Sequence, residues 1–453
     1  MSPGAVAEEL LGYFDAALAA ADPARVVREG LAAREVVLEL GRDRPHWIIA
    51  LGKAAPAMAG AALSHCAHAG LHVEGGLVVG TSSHATRSAT RSATRSAAGS
   101  AAGSATDPLE RVAGDHPVPG FRSAHASERL AALTERVGRD DVVLVLLSGG
   151  TSSLVGAPMD GVRPEDLAAL HALLLGAGVP ITRMNAVRKR FSRWGAGRLA
   201  AALKCARVIP ILLADVPNED PSMIGSGPVS PDAIEAWHVE RILRDAGVAV
   251  QVPLSVASAL GAMRAGILPE TPKPGDAVFG HVEAPFVVGN TAALEAIAAR
   301  AHAAGRSPVL VARSALQGDA TAAGRTLAHS LARATPGSCL IWGGETTVRL
   351  PADHGLGGRC QQLALAAAEV FDDVGARETW LLAAGTDGRD GPAPAAGALV
   401  HAASWRASTE RGGNPRRSLA RCDAHAALDA AGALIPARDT GTNVMDIVVA
   451  VRG

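Results

Sequence analysis

The sequence predicts two three-layer α/β domains with largely parallel sheets. Three observations predict it. Short continuous apolar runs recur along the chain, as strands buried on both faces require. Each run ends in a glycine-rich polar turn, and segments with helical periodicity separate the runs. The third observation is length, since 453 residues exceed what one hydrophobic core usually organises.

The elements follow in order. Helical patterns cover 5–21 and 24–40, then Trp47–Leu51 reads as a strand, Gly52-Lys53-Ala54 as a turn and Ala55–Ala69 as a helix. A second strand is expected at Leu77–Gly80. From 81 to 106, Thr-Arg-Ser-Ala repeats decay into Ala-Ala-Gly-Ser, with no apolar face. Such an insertion buries too little surface to offset its ordering entropy, so a mobile loop is expected. Beyond Asp115-His116-Pro117, the pattern gives a helix near 122–137, strand 141–147, helices 164–177 and 192–205, strand 207–214 and helix 231–247. Prolines and short helices dominate 249–284. Strands are then expected near 285–289, 308–312, 338–342, 346–350, 379–384 and 446–451, with helices near 291–304, 319–334, 360–371, 401–410 and 417–431.

Composition narrows the function classes. Hydrophobic content of 48% is ample for large cores, and 43 basic against 44 acidic residues leave no electrostatic footprint for nucleic acid or an anionic membrane. The five cysteines are scattered, without CxxC or zinc spacing, and no secretory signal opens the chain. These features point to the cytoplasm, with no membrane or nucleic-acid partner.

The chemistry gathers at strand ends. Ser148-Gly149-Gly150-Thr151-Ser152 after the 141–147 run suits an anion nest of backbone N–H groups and hydroxyls, or a plain tight turn. Lys53 stands at a strand end and helix start, where an ammonium reaches an anion or simply meets solvent. Asn185, Arg188 and Lys189 share one helical face, suited to a carboxylate or phosphate. Asp215 follows a strand, where a carboxylate can bind Mg²⁺ or accept a hydroxyl proton, and Ser226-Gly227 makes a further turn with exposed amides. Glu345, Arg359, Asp387, Asp390, Asn443 and Asp446 repeat this pattern toward the C-terminus. One such loop is commonly a turn; the set favours metal-assisted chemistry on an anionic ligand. GxxxxGK[ST], GxGxxG after the first strand and GxSxG are all missing, which lowers the odds of P-loop, dinucleotide and nucleophile-elbow enzymes.

Taken together, these residues resemble the class II glycerate 2-kinases, which join an N-terminal glycerate-kinase domain to a C-terminal MOFRL domain. The resemblance is carried by Gly52-Lys53-Ala54, Asp115-His116-Pro117, Leu147 to Ser152, Asn185 to Lys189, Asp215-Val216-Pro217, Ser226-Gly227-Pro228, Gly343 to Thr347, Gly357-Gly358-Arg359, Thr386 to Gly391 and Thr440 to Asp446. It implies a Rossmann-like domain over 1–250, a connecting segment over 251–284 and a MOFRL-like domain over 285–453, with the active site in an interdomain cleft. The implied activity is Mg²⁺- and ATP-dependent phosphorylation of the 2-hydroxyl of D-glycerate, or of a related small hydroxy acid, by a monomer or homodimer. By carry-over, Lys53 and Arg359 stabilise the transferring phosphoryl group. Asp215 and Asp387 bind metal or activate the hydroxyl, with Asp390 a further metal ligand. Ser148, Gly149, Gly150, Ser152, Asn185, Arg188, Lys189, Ser226, Gly227, Glu345 and Asn443 bind substrate or nucleotide. Relatives called hydroxypyruvate reductases make an NAD(P)H-dependent reductase the alternative, with a non-catalytic ligand-binding relative as a third reading.

Four positions depart from the family pattern. Gly195 stands where a lysine is usual, Asn218 where a glycine is usual, and Cys360 and Gln362 replace an Asn and a Glu beside Arg359.

Overall fold

A computed structural model describes residues 3–81, 107–203 and 206–453. The insertion expected to be a loop falls outside the described residues except for Thr81. Two compact units form, one from Pro23–Leu213 and Asp220–Val287, the other from Met1–Asp22, Ala214–Glu219 and Val288–Gly453.

The first unit carries a six-stranded sheet in the order β3-β2-β1-β4-β5-β6. Its strands are β1 (His46–Leu51), β2 (Val73–Thr81), β3 (Leu109–Gly114), β4 (Val142–Leu147), β5 (Arg207–Leu213) and β6 (Phe286–Val288). β3-β2, β2-β1, β1-β4 and β4-β5 all pair in parallel. Every residue of β1 and β4 is buried, which is why these strands read as unbroken apolar runs. Strand order reverses between β1 and β4, so the chain leaves their carboxyl ends toward opposite faces and opens a crevice there.

The segment 251–284, expected as a connector, instead belongs to this unit. Its helix Leu254–Arg264 buries Val256, Leu260 and Met263 in a helical core shared with Leu170, Leu174, Phe191 and Leu243. The expected helix 192–205 is reduced to Arg198–Ala202. Ala196 and Gly197 take left-handed conformations (φ 55° and 80°), and their N–H groups donate to the carbonyls of Ser226 and Gly227 at 2.8 Å.

The second unit holds the order β11-β10-β9-β12-β8-β7. Its strands are β7 (Val309–Leu316), β8 (Cys339–Gly344), β9 (Thr379–Gly385), β10 (Ala395–His401), β11 (Leu434–Pro436) and β12 (Asp446–Arg452). This sheet is mixed rather than parallel throughout: β7 and β8 pair in parallel, while β12 runs antiparallel between β8 and β9, and β10 antiparallel to β9. The reversal has a consequence for chemistry. The first residue of β12, Asp446, pairs with Gly344 and Gly385, the last residues of β8 and β9. The loop before β12 is thereby delivered to the same sheet edge as the loops after β8 and β9.

The strand expected at 346–350 does not form. Glu345 N–H donates to the Leu316 carbonyl (2.8 Å) and Thr347 N–H to that of Gly318 (2.7 Å), so this stretch closes the end of β7 and leaves Leu350 exposed. The N-terminal helix Pro3–Ala20 also belongs to the second unit, not to the N-terminal domain. Glu9 pairs with Arg306 at 2.7 Å, and Thr442 Oγ1 donates to the Ala21 carbonyl at 2.6 Å.

Candidate functional site

In the first unit the turns after β1 and β4 are bonded into one piece. The Lys53 N–H donates to the Gly149 carbonyl (2.9 Å), the Ala54 N–H to Ser148 Oγ (3.1 Å), and the Ser148 N–H to the Leu51 carbonyl (3.0 Å). Thr151 Oγ1 donates to the carbonyls of Leu51 and Ser148, each at 2.8 Å. Gly52 permits this approach: its φ is +128°, and a Cβ there would lie 2.1 Å from Ser148 Oγ. Ser148 is buried and its Oγ accepts from the Ala54 N–H, so it braces the turn.

What remains open is the backbone beyond it. Among the described residues, the N–H groups of Gly149, Gly150, Thr151 and Ser152 find no acceptor. Four successive amides at a strand end, with a positive φ at Gly150 (89°), have the backbone pattern of an anion nest. Lys53 stands against it, since a Cβ on Gly150 would lie 3.3 Å from Lys53 Cγ. No carboxylate among the described residues pairs with Lys53. The same Cβ would lie 3.2 Å from Cδ2 of His116, a residue of the Asp-His-Pro motif to which the sequence pattern alone assigns no site role. Burial, and then the Lys53 charge, hold the His116 imidazole below its usual range, so it is neutral at neutral pH and leaves Lys53 as the cation of this corner.

The basic helix Ile181–Arg190 divides between scaffold and site. Lys189 is a correction: it is 5% exposed, and its Nζ meets Asp232 Oδ1 at 3.0 Å. Arg190 completes that network with Asp232 and Glu270, and Lys273 joins Glu270 at 3.3 Å. These cations neutralise the buried Asp232 and the partly exposed Glu270, so Lys189 serves the scaffold. Arg188 and Asn185 are half-buried, and Arg188 lines a cavity with Ser152 and Ser226. Gly227 donates to the Ile224 carbonyl and accepts from Gly197, which makes it part of the turn and not a free amide. A Cβ at Gly195 would lie 3.1 Å from the Ser226 carbonyl and 3.3 Å from the Lys189 carbonyl, a tight fit in the same turn.

In the second unit the centre is Arg359, the first residue of the helix Arg359–Asp373. Its Nε and Nη2 donate to the two oxygens of Asp446 at 2.5 and 3.1 Å, and its Nη1 pairs with Glu345. Burial works against the guanidinium charge, but the bond to Asp446 overrides it and raises Arg359 above its usual range. Asp446 is buried, and burial pushes its carboxyl up to about 6 despite the pull of Arg359. The bidentate geometry is that of an ionised pair at neutral pH. Asp446 therefore acts on the site through Arg359, fixing its orientation.

Asp390 is a second correction. Its Oδ1 accepts from the Cys360 N–H (3.0 Å), and its Oδ2 from the Gln361 N–H (2.7 Å) and Gln361 Nε2 (3.0 Å). Both oxygens cap the helix that presents Arg359, so Asp390 is a capping residue and not a metal ligand. Asp387 differs, being partly exposed, with Oδ1 alone engaged among the described residues, by the Arg389 N–H at 3.0 Å. Asn443 Oδ1 accepts from the Met445 N–H at 3.1 Å, closing its own loop. Thr386 and Thr440 join that loop to the 386–391 turn: Thr386 Oγ1 donates to the Met445 carbonyl (2.7 Å) and Thr440 Oγ1 to the Thr386 carbonyl (2.6 Å). Cys360 and Gln362 are buried, and Gln362 Nε2 donates to Thr321 Oγ1 (3.0 Å) and the Leu419 carbonyl (2.9 Å). These two departures lie in the scaffold behind Arg359. Asp215 is partly exposed just after β5, and Asn218 takes φ 59°, a conformation asparagine tolerates better than most residues. Glu219 Oε1 accepts from the Thr291 N–H at 2.7 Å, at the start of the helix Asn290–Ala303.

Among the described residues no three His, Cys, Asp or Glu side chains converge as a metal cage. Magnesium bound to nucleotide phosphates takes only one or two protein carboxylates, a demand that Asp387 fits. The nest and Lys53 likewise fit phosphate oxygens.

Residues 9–261 match the family profile described as a domain of unknown function, DUF4147, and residues 338–446 match the MOFRL family. The D-glycerate 2-kinase of Thermotoga maritima is 31% identical over 92% of this chain and 93% of its own. The chain belongs to the class II glycerate 2-kinase family. A family member from Agrobacterium vitis, provisionally named a hydroxypyruvate reductase, is 34% identical over 96% of this chain and 92% of its own. The crystal structure of glycerate kinase from Thermotoga maritima superposes with a TM-score of 0.82 at 29% identity, covering 100% of both chains. Membership accounts for the two α/β units with their glycine-rich strand ends. No helix among the described residues is long and apolar enough to cross a membrane.

Proposed function

We propose that this protein is an ATP-dependent D-glycerate 2-kinase, converting D-glycerate and ATP to 2-phosphoglycerate and ADP. The observation that carries the reading is the corner at the β1–β4 switch point, where four amides with no acceptor among the described residues lie beside the Lys53 side chain, which has no carboxylate partner among them. Phosphoryl transfer needs positioning and charge neutralisation more than covalent help, and such a corner supplies both. In the transfer, the acceptor 2-hydroxyl oxygen bonds to the γ-phosphorus as the bond to the bridging oxygen of ADP breaks. The hydroxyl proton passes to a carboxylate, a role we assign to Asp215. Lys53 and the 149–152 amides stabilise charge on phosphate oxygens. Arg359, oriented by Asp446, stabilises the transferring group. Asp387 would hold Mg²⁺, which when bound supplies charge neutralisation on the nucleotide phosphates.

The family and the curated kinase relatives support this reading. The reductase reading lacks a dinucleotide fingerprint, because the turn after β1 offers Gly52-Lys53-Ala54 in place of GxGxxG. Small hydroxy acids are the proposed acceptors, in the cytoplasm; Cys66, Cys339, Cys360 and Cys422 are all free, as a reducing compartment would leave them. A coupled ADP-release assay with D-glycerate, MgATP and the full chain tests the proposal. Turnover above the ATPase background is expected. NADH oxidation with hydroxypyruvate and no ADP release would replace it with the reductase.

A further inference from the structure

The first unit contains a cavity of about 730 Å³ that glycerate alone does not explain. Its polar lining comprises Arg188 and His171, together with Ser152, Ser192 and Ser226. Arg188 lines it and has no carboxylate partner among the described residues, and His171 lines it with Nε2 buried and unpartnered. Much of the rest of its wall is apolar, with Pro164, Leu167 and Met184 along it. The mouth is apolar as well. Val118, Phe121 and Leu175 all line this cavity and are 71%, 88% and 71% exposed, a cost to solubility that a ligand would relieve.

Two independent features thus describe one ligand. A half-buried guanidinium with no carboxylate partner among the described residues calls for an anion, and a planar carboxylate matches its fork. Burial lowers Arg188 and, with the nearby Arg188 charge, holds His171 down to about 4. The imidazole is therefore neutral at neutral pH and can donate one N–H to the same carboxylate. The apolar wall and mouth suit a hydrocarbon body outside that head group.

We infer that this cavity binds an organic acid with an apolar body, its carboxylate held by Arg188 and His171 and its body against Met184, Phe121 and Leu175. Ser152 belongs both to this lining and to the turn after β4, so the acid lies beside the corner that holds Lys53. Arg188, Ser152 and Ser226 are also residues that the family resemblance assigns to substrate or nucleotide, so the cavity adjoins that site; the inference concerns binding alone.

Isothermal titration of the full chain with 4-methylpentanoate, without nucleotide, tests it. Saturable binding is expected, weakened at least tenfold in Arg188→Gln and in Leu175→Asp, and at least tenfold when 4-methylpentan-1-ol replaces the acid. Leu175 is largely exposed, so Leu175→Asp leaves the fold intact and stays informative if Arg188→Gln does not fold. No saturable binding by the wild-type chain, or equal binding by Leu175→Asp, would overturn the inference. ADP release from D-glycerate is read separately, so either proposal can fail while the other stands.

Discussion

Lys53 and Arg359 show two ways of placing a cation at a strand end. Lys53 follows a parallel strand at the point where sheet order reverses, and no carboxylate among the described residues restrains it. Arg359 opens a helix and is held between Asp446 and Glu345, with Asp390 capping the helix beneath it. The first arrangement leaves a point charge free to follow phosphate oxygens. The second fixes the fork of a guanidinium before any ligand arrives. A free cation can be removed without injury to the fold, whereas a clamped one cannot. Removing Arg359 strands the buried Asp446 carboxylate, at a cost of about 3 kcal/mol or more.

Mutations can break the comparison in order of size. Lys53→Ala should lower kcat by about a hundred- to a thousandfold, the usual loss when one preorganised charge-stabilising donor is deleted, with an unchanged melting temperature. A drop in melting temperature would show that Lys53 also supports the fold. Asp446→Asn is expected to remove the acid limb of the kcat/KM profile. In the wild type this limb should centre near pH 6, because the Asp446 carboxyl is pushed up to about 6 and loses its charge below that. Stability carries the opposite sign. Between the ordinary value of 3.8 and about 6 the folded state binds more protons than the unfolded one, so this group's contribution to stability falls as pH rises through that window. A retained acid limb in Asp446→Asn would assign it to another group.

Smaller effects separate support from chemistry. Asp390→Ala should cost about 1–2 kcal/mol, read as a lower midpoint in denaturant titration, since it uncaps the Arg359 helix. If Asp390 were a metal ligand, the same change would instead raise the Mg²⁺ concentration needed for half-maximal rate and spare stability. Glu345→Gln removes a partly exposed partner of Arg359, worth about 0–1 kcal/mol, and should change kcat/KM by no more than about fivefold. A larger loss would make Glu345 a ligand of substrate or metal.

Strand ends were legible because burial on both faces writes itself as apolar runs, as β1, β4, β8, β9 and β12 show. β10 was not, since Ala395 to Ala398 consist of alanine and glycine, which carry little strand signal. Neighbouring side chains with one chemistry were the harder case. Arg188, Lys189 and Arg190 look alike in sequence, but Asp232 and Glu270, far along the chain, claim the last two. Asp390 and Asp387 also look alike, and the N–H groups of Cys360 and Gln361 donating to Asp390 show which one caps a helix. The anion nest was readable as glycine and hydroxyl content, yet the division of labour within it was not: Ser148 braces the turn and the amides after it stay open.

The most direct test is phosphorus NMR of the product formed from D-glycerate and MgATP by wild-type and Lys53→Ala chains. The account predicts 2-phosphoglycerate from the wild type and at least a hundredfold slower formation from Lys53→Ala. Equal rates, or phosphate on the 3-hydroxyl, would contradict it.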